Sequence, residues 1–280
     1  MMTQQLSTAF WCTNEVVRIR AQSLGAPARP GTSVSQLRVG TWNLLAPAYA
    51  KGLENTEWRA RLARQQEVVD AQGLDVVALQ EFWVAHAESV DAWATFAAER
   101  SMALFVLGRT RGKADGCATL VKSHLLGDEP FGLHYDDWGD RVCLVVPLVD
   151  VVVCNTHWTF AHDNDWDPVM RRHQARKLTS FANRDLKDKR VIVLGDLNGD
   201  VNDPAVSDFA SSGWRLHLPR GEWVSHRAHT GAMLACDFIA SNATILSEDC
   251  RVHGDPEDLF PASSPRVSDH NMVSATLHLR

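Results

Sequence analysis

The chain has 280 residues, and its 45% hydrophobic and 22% charged residues describe a globular protein with enough apolar material for a sizeable core, which excludes wholesale disorder. A formal charge of −6 removes the simplest case for a sequence-indifferent nucleic-acid coat, because such binding needs an excess of Lys and Arg to release counterions. No run of about 18 apolar residues occurs, so no membrane-spanning helix is expected.

Met1 to Phe10 has neither the basic start nor the apolar run of a secretory signal. A cytoplasmic location is expected, with organelle targeting as the second reading because Arg18, Arg20 and Arg29 stand among Ala, Ser and Pro. The cysteines at positions 12, 117, 143, 154, 236 and 250 form no CxxC pair and read as small buried apolar residues in a reducing compartment. The stretch AQSLGAPARPGTSVS, ending at Ser35, is a linker composition. Residues 1–35 are therefore expected to be an extension or linker, and residues 36–280 a catalytic domain.

From Gln36 the chain alternates apolar runs with amphipathic stretches. LRVGTWNLLA predicts a strand, Trp58 to Ala71 a helix through Trp58, Leu62 and Val69, and LDVVALQEF a second strand. Ala92 to Glu99 predicts another helix, followed by strands in ATLVKS, RVCLVVPLV and DVVVCNTHWTF, the last two joined by a tight turn at Val149 to Val151. Val169 to Asn183 returns to a helical pattern, and KRVIVLGDLN reads as a strand buried on both faces. LACDFIAS and NMVSATLHL supply the last strands. Strand-rich halves with helices interposed predict an α/β fold, two mixed sheets packed face to face with helices outside.

Polar residues recur after these runs: Asn43 after RVGTW, Gln80 and Glu81 after LDVVAL, Asn155 and His157 after DVVVC, Asp196 and Asn198 after VIVLG. Asp269 and His270 precede the final strand, and Asp237 interrupts an apolar one. Singly these residues have structural explanations: GDLNG suits a turn, His157 a bonded core histidine, and Glu81 a solvated strand end. Asp237 is harder to dismiss, since a carboxylate among Cys236, Phe238 and Ile239 needs a cation or an imidazole to hold its charge. Together they form the inventory of metal-assisted phosphate-ester hydrolysis. Mg²⁺ takes oxygen ligands, few of them carboxylates, and retains water, so Glu81 with an Asn and an Asp is reasonable coordination. Neither an HExxH motif nor a Cys/His quartet favours zinc.

TWNLLAP, ALQEFW, CNTHWTF, LGDLNG, ACDFIAS and VSDHNMVS, in that order from about Arg38 onward, resemble the signatures of the endonuclease/exonuclease/phosphatase superfamily. The resemblance implies a four-layer α/β sandwich. TWNLLAPAYA, DGCATLVKS and NTHW look like the deadenylase/nocturnin-like branch. LQEFWV, WGDRV, NTHWTFAHD, RRHQARKL, GDLNG and WVSHRAHTGAMLACDFI are closer to a branch joined to EF-hands, although no DxDxDG loop occurs here and no calcium regulation is expected. The resemblance implies Mg²⁺, replaceable by Mn²⁺, on Glu81 with Asn43 and Asp269 near it. It also implies Asp196 as the residue that deprotonates water, Asn198 on a phosphate oxygen, His157 and His270 against the phosphoryl charge, and Asp237 fixing the His270 tautomer.

For the substrate, WVSHRAH suggests recognition through Trp223, His226 and Arg227, with His229 beside them, or else a solvated loop with an anchoring Trp. Arg109, Arg111 and Lys113 are further rim candidates, ahead of Arg171, Arg172 and His173 on a helix. The leading reading is a 3'-directed nuclease acting on single-stranded nucleic acid or a nucleotide. The alternatives are a small-molecule or phospholipid-headgroup phosphatase or phosphodiesterase, for which ALQEFW resembles the neutral sphingomyelinase branch, and a catalytically silent binding protein. No obligate protein partner is evident.

Overall fold

The computed structural model describes residues 17–19, 34–50, 58–162, 164–228, 230–242, 245–254 and 267–279. The first half contains β1 (Val17–Ile19), β2 (Gln36–Asn43), α1 (Trp58–Gln72), β3 (Val76–Phe82), α2 (Ala87–Glu99), β4 (Met102–Gly108) and β5 (Gly116–Lys122). The second contains β6 (Phe131–His134), β7 (Val142–Pro147), β8 (Val152–His157), α3 (Trp166–Asp185), β9 (Val191–Asp196) and α4 (Pro204–Ser211). β10 (Arg215–His217), β11 (His226–Arg227), β12 (Met233–Leu234), β13 (Asp237–Ser241), β14 (Leu246–His253) and β15 (Met272–His278) follow.

Alternation along the strands builds the layers. In β2 and β3 the residues Leu37, Val39, Val76 and Ala78 point to the facing sheet, while Trp42, Val77 and Leu79 point to α1 and α2. In β8 and β9, Val153, Ile192 and Leu194 face inward and Cys154, Val191 and Val193 pack on α3 and α4. The result is a sheet ordered β1-β4-β5-β3-β2-β15-β14 against a sheet ordered β10-β13-β9-β8-β7-β6, with a helical layer on each outer side, as the α/β sandwich expectation requires. β1, from the segment before Gln36, pairs antiparallel with β4. Cys117, Cys143, Cys154 and Cys236 are buried, free thiols.

Each sheet holds one parallel pair, β2 with β3 and β8 with β9, because a helix carries the chain back across the sheet between them. The carboxyl ends of both pairs lie together, and these ends hold Asn43, Gln80, Glu81, His157 and Asp196. Between the pairs the core is polar at one seam. Gln80 Nε2 donates to Asn155 Oδ1 at 2.8 Å and Thr41 donates to Gln80 Oε1 at 3.2 Å. Asn155 Nδ2 lies 2.7 Å from the Ala118 carbonyl and 3.2 Å from that of Leu79. Gln80 and Asn155, two of the polar residues that follow the apolar runs, tie one sheet to the other.

The helix in the first half starts at Ala87, earlier than Ala92, because the His86 side chain accepts the Ser89 N–H and caps it. Replacing Asn155 with Ala leaves Gln80 and two carbonyls without their buried partner, so urea denaturation should show a loss of about 2–4 kcal/mol with the m-value retained.

Candidate active site

Strand phase explains why Glu81 faces the cleft. Val77 and Leu79 point to the helices, so an unbroken β3 would turn Glu81 the same way. The pairing of β3 with β5 slips between Leu79 and Phe82, and Glu81 takes a left-handed φ of 49°. This bulge returns Phe82 to the helical side and re-aims the carboxylate. The strained backbone costs about 1 kcal/mol, a cost typical of functional positions. Glu81 Oε2 accepts the Ala46 N–H at 2.9 Å, and Oε1 accepts Asn43 Nδ2 at 3.2 Å.

Asp196 ends β9 on its inward phase, almost sealed from solvent. Its Oδ1 accepts the Asn198 N–H at 2.9 Å, and its Oδ2 accepts Asn43 Nδ2 at 3.0 Å. His157 Nε2 stands 3.4 Å and His270 Nε2 3.7 Å from the same Oδ2. Asp237 lies directly opposite Asp196 in the antiparallel β9–β13 ladder, a pairing of like charges that is unfavourable by itself. His270 resolves it, its Nδ1 2.8 Å from Asp237 Oδ2 and its Nε2 turned toward Asp196.

The two histidines differ in charge for identifiable reasons. Burial lowers the proton affinity of His270, but Asp237, Asp196 and Asp269 outweigh it and lift the pKa to about 10. Burial, followed by the guanidinium groups of Arg141 and Arg109, holds His157 well below the ordinary imidazole range. Arg141 Nη1 is 2.8 Å from His157 Nδ1, and a guanidinium can only donate, so Nδ1 accepts and the ring's one proton sits on Nε2, toward Asp196. Asp196 itself is raised by burial and by Asp237, against the lowering pull of His270 and Asn43.

Around this centre the other expected residues divide. Asp269 is half-buried, its Oδ1 3.9 Å from His270 Nε2 and its Oδ2 3.7 Å from His226 Nε2. His226 stacks on His270 with ring centroids 4.2 Å apart and so joins the site, and Arg227 donates its N–H to the Asp269 carbonyl. Asn198 Nδ2 donates to the Trp158 carbonyl at 2.9 Å, and the residue adopts a left-handed φ of 52°. Asn43 turns its amide nitrogen, not its oxygen, to both carboxylates, because Oδ1 accepts the Leu45 N–H at 2.9 Å.

Trp223 is turned inward, edge-on to Phe238 at 5.7 Å, which is the anchoring geometry rather than an open stacking face. Arg109 is a fixed part of the wall, paired with Asp115 at 3.0 Å and with the Tyr49 hydroxyl at 3.2 Å. Arg111 is open to solvent, its Nε 3.2 Å from Asp140, and Lys113 is exposed as well. Arg171, Arg172 and His173 stand apart from the site: the arginines bind Asp203, which caps α4, and Asp208 within it, and His173 contacts the Tyr135 carbonyl. His229 lies outside the described residues. Arg141 was not anticipated as a site residue; it follows Asp140 and opens the apolar run VCLVVP.

Residues 40–270 match the sequence profile of the endonuclease/exonuclease/phosphatase family. The chain belongs to that family. Members of this family are phosphoric ester hydrolases that generally use a divalent metal. It is similar to an uncharacterized calcium-binding protein of Arabidopsis thaliana, with 27% identity over 73% of this chain and 50% of that protein, so it spans about half the length of that relative. The human nocturnin catalytic domain, solved with a bound sulfate, superposes with a TM-score of 0.67 at 16% identity, covering 94% of this chain and 96% of that one. ANGEL2, described as a 2',3'-cyclic phosphatase, gives a TM-score of 0.68 at 15% identity, covering 87% and 95%. No helix among the described residues is long and apolar enough to cross a membrane.

The donors present fit a hard divalent cation. Glu81 is pushed up to about 7, first by burial and then by Asp269 and Asp115, which together outweigh the lowering pull of Asn43 and His270, so its negative charge is incompletely compensated. An acid raised in the folded state favours its protonated form there. The cation-free fold therefore loses stability as pH rises from the ordinary carboxylate range through about 7. Glu81→Gln should stabilise the cation-free protein by on the order of 1–2 kcal/mol at about pH 8 and have little effect at about pH 4. Thermal melts at the two pH values check this, and added Mg²⁺ should raise the melting temperature of the parent but not of the variant.

Proposed function

We propose that the protein hydrolyses a phosphodiester by in-line attack of water, with Mg²⁺ as cofactor and Mn²⁺ as a substitute, and that its substrate is the 3' end of a single strand. The cation would be held by Glu81 with Asp269 beside it, and when bound it supplies charge to the phosphoryl oxygens and to the leaving group. Asn43 holds the Glu81 and Asp196 carboxylates in fixed relation through one amide nitrogen. Asp196 orients the attacking water and takes its proton, since its Oδ2 is the point on which Asn43, His157 and His270 converge. His270, charged and steered by Asp237, and His157, neutral with its proton on Nε2, donate to the phosphoryl oxygens as negative charge grows there. Asn198 holds Asp196 by its N–H and closes the floor beneath a phosphate oxygen. The observation that carries this reading is that one buried carboxylate oxygen is met by two imidazoles, one held from behind by a carboxylate and the other by a guanidinium.

A strand end is favoured over a lone headgroup by two open aromatic faces. Trp138 and Trp166 are 75% and 61% exposed, with ring centroids 5.8 Å apart. Trp138 sits three residues before Arg141, on a loop fixed by Asp137, which binds the Arg141 N–H at 3.1 Å and also Gln174. Bases stack on such faces without sequence preference. Arg109, committed to Asp115, belongs to the wall and leaves the grip on the last nucleotides to the aromatic faces.

The test is hydrolysis of oligo(A), duplex DNA, NADP⁺, sphingomyelin and bis-p-nitrophenyl phosphate with Mg²⁺, Mn²⁺ or chelator. Oligo(A) should be cleaved only with metal, and both Glu81→Ala and Asp196→Ala should reduce turnover by about 10³-fold or more. Trp138→Ala should raise KM for oligo(A) by roughly 5- to 100-fold while sparing the small diester. Turnover of NADP⁺ or sphingomyelin without cleavage of oligo(A) would replace the nuclease reading with a small-molecule one.

A further inference from the structure

The proposed hydrolysis assigns no step to Cys236, a side chain with no exposed surface that immediately precedes Asp237 and whose Sγ donates to Asp237 Oδ2 at 3.6 Å. Its Sγ, a carboxylate oxygen of Asp196 and a ring nitrogen of His270 all lie within 4.8 Å of one another. These donors come from the end of β9, the residue before β13 and the turn before β15, so no sequence spacing announces them. Four ligands at zinc distances of about 2.0–2.3 Å in a tetrahedron stand roughly 3.3–3.8 Å apart. The 3.7 Å between His270 Nε2 and Asp196 Oδ2 already falls in that range.

Two further features belong to a metal site rather than to a chance cluster. His270 engages Asp237 through Nδ1 at 2.8 Å, the carboxylate–histidine arrangement that aims the other ring nitrogen at a metal. The backbone N–H groups of Cys236 and Asp237 both donate to Ser225 Oγ at 3.2 Å, which fixes the thiol-bearing segment. A thiol is a poor ligand for Mg²⁺ and a good one for Zn²⁺ or Cd²⁺.

We propose that Asp196, Cys236 and His270 form a second cation site, selective for thiophilic divalent ions such as Zn²⁺ and Cd²⁺, whose occupation switches off hydrolysis. On binding, the Sγ–H bond breaks and an Sγ–metal bond forms, with the proton released to solvent. A proton carried on His270 Nε2 leaves in the same way, and its lone pair joins the metal. No oxidant or reductant is involved. Asp196 and His270 are then no longer available to water and phosphate. This inhibitory half rests on the phosphoesterase reading of the site, whereas the binding half stands without it.

The experiment is titration of the full chain with Cd²⁺ in excess Mg²⁺, read by the ultraviolet thiolate-to-cadmium charge-transfer band, with Zn²⁺ inhibition of bis-p-nitrophenyl phosphate hydrolysis measured in parallel. One equivalent of band is expected in the parent, in Cys12→Ala and in Cys250→Ala, and none in Cys236→Ala or Cys236→Ser. Asp237→Asn should keep the band with affinity lowered about 10- to 100-fold. Zn²⁺ should inhibit the parent at concentrations at least tenfold below those needed for Cys236→Ser, each rate being taken relative to its own zinc-free value. No band in the parent, or a band that survives in folded Cys236→Ala, would overturn the site. A Cys236-dependent band in a protein that hydrolyses nothing would overturn the phosphoesterase reading and leave the site standing, whereas equal Zn²⁺ inhibition of parent and Cys236→Ser would overturn the inhibitory half.

Discussion

A carboxylate buried as deeply as Asp196 is tolerated only if its surroundings replace the water it has lost, and here four groups do so. Asn198 gives a backbone N–H to one oxygen, while Asn43, His157 and His270 surround the other. Removing any one of these leaves charge in a low-dielectric floor, where loss of a partner typically costs about 3–5 kcal/mol. The same constraint sets the states of the neighbours. With Asp237 opposite Asp196 in the ladder, His270 must be charged, and with Arg141 behind it His157 must be neutral. Stability and chemistry thus draw on one arrangement.

The scaffold makes that arrangement possible through its two parallel pairs. Parallel strands need a helical return, which places the carboxyl ends of β2, β3, β8 and β9 on one side of the sandwich. The seam of Thr41, Gln80 and Asn155 then locks the sheets just beneath the cleft, where a slip of one residue would turn every site residue to the wrong face. The bulge at Glu81 is the local exception that serves the site, reversing the strand phase for a single carboxylate.

Much of this was legible in the residues. Apolar runs ending in Asn43, Glu81, His157 and Asp196 pointed to strands and to a candidate site, and Asp237 declared its need for a partner by its apolar neighbours. Other parts were hidden for physical reasons. β14 is an edge strand with both faces largely wet, so LSEDCRVH carries no alternation. α4 is only eight residues long and is set by the Asp203 cap and a proline rather than by a long apolar stripe. β4 is apolar throughout, and its run MALFVLG has no period to separate it from the helix before it. An aromatic in a polar run such as WVSHRAH reads equally as anchor or recognition face, and only packing on Phe238 separates the two. The role of Cys236 depends on contacts between strands far apart in the chain, and that of Arg141 on a side-chain contact between the residue before β7 and the end of the neighbouring β8 that the run of residues does not state.

The central claim is that His157 and His270 meet one carboxylate in opposite charge states. Nitrogen NMR of protein with isotope-labelled histidine reads both directly at about pH 7, where an unperturbed imidazole is largely neutral. The structure predicts a neutral His157 with its proton on Nε2 and a His270 carrying protons on both nitrogens. A charged His157, a His157 with its proton on Nδ1, or a neutral His270 at that pH would contradict the account.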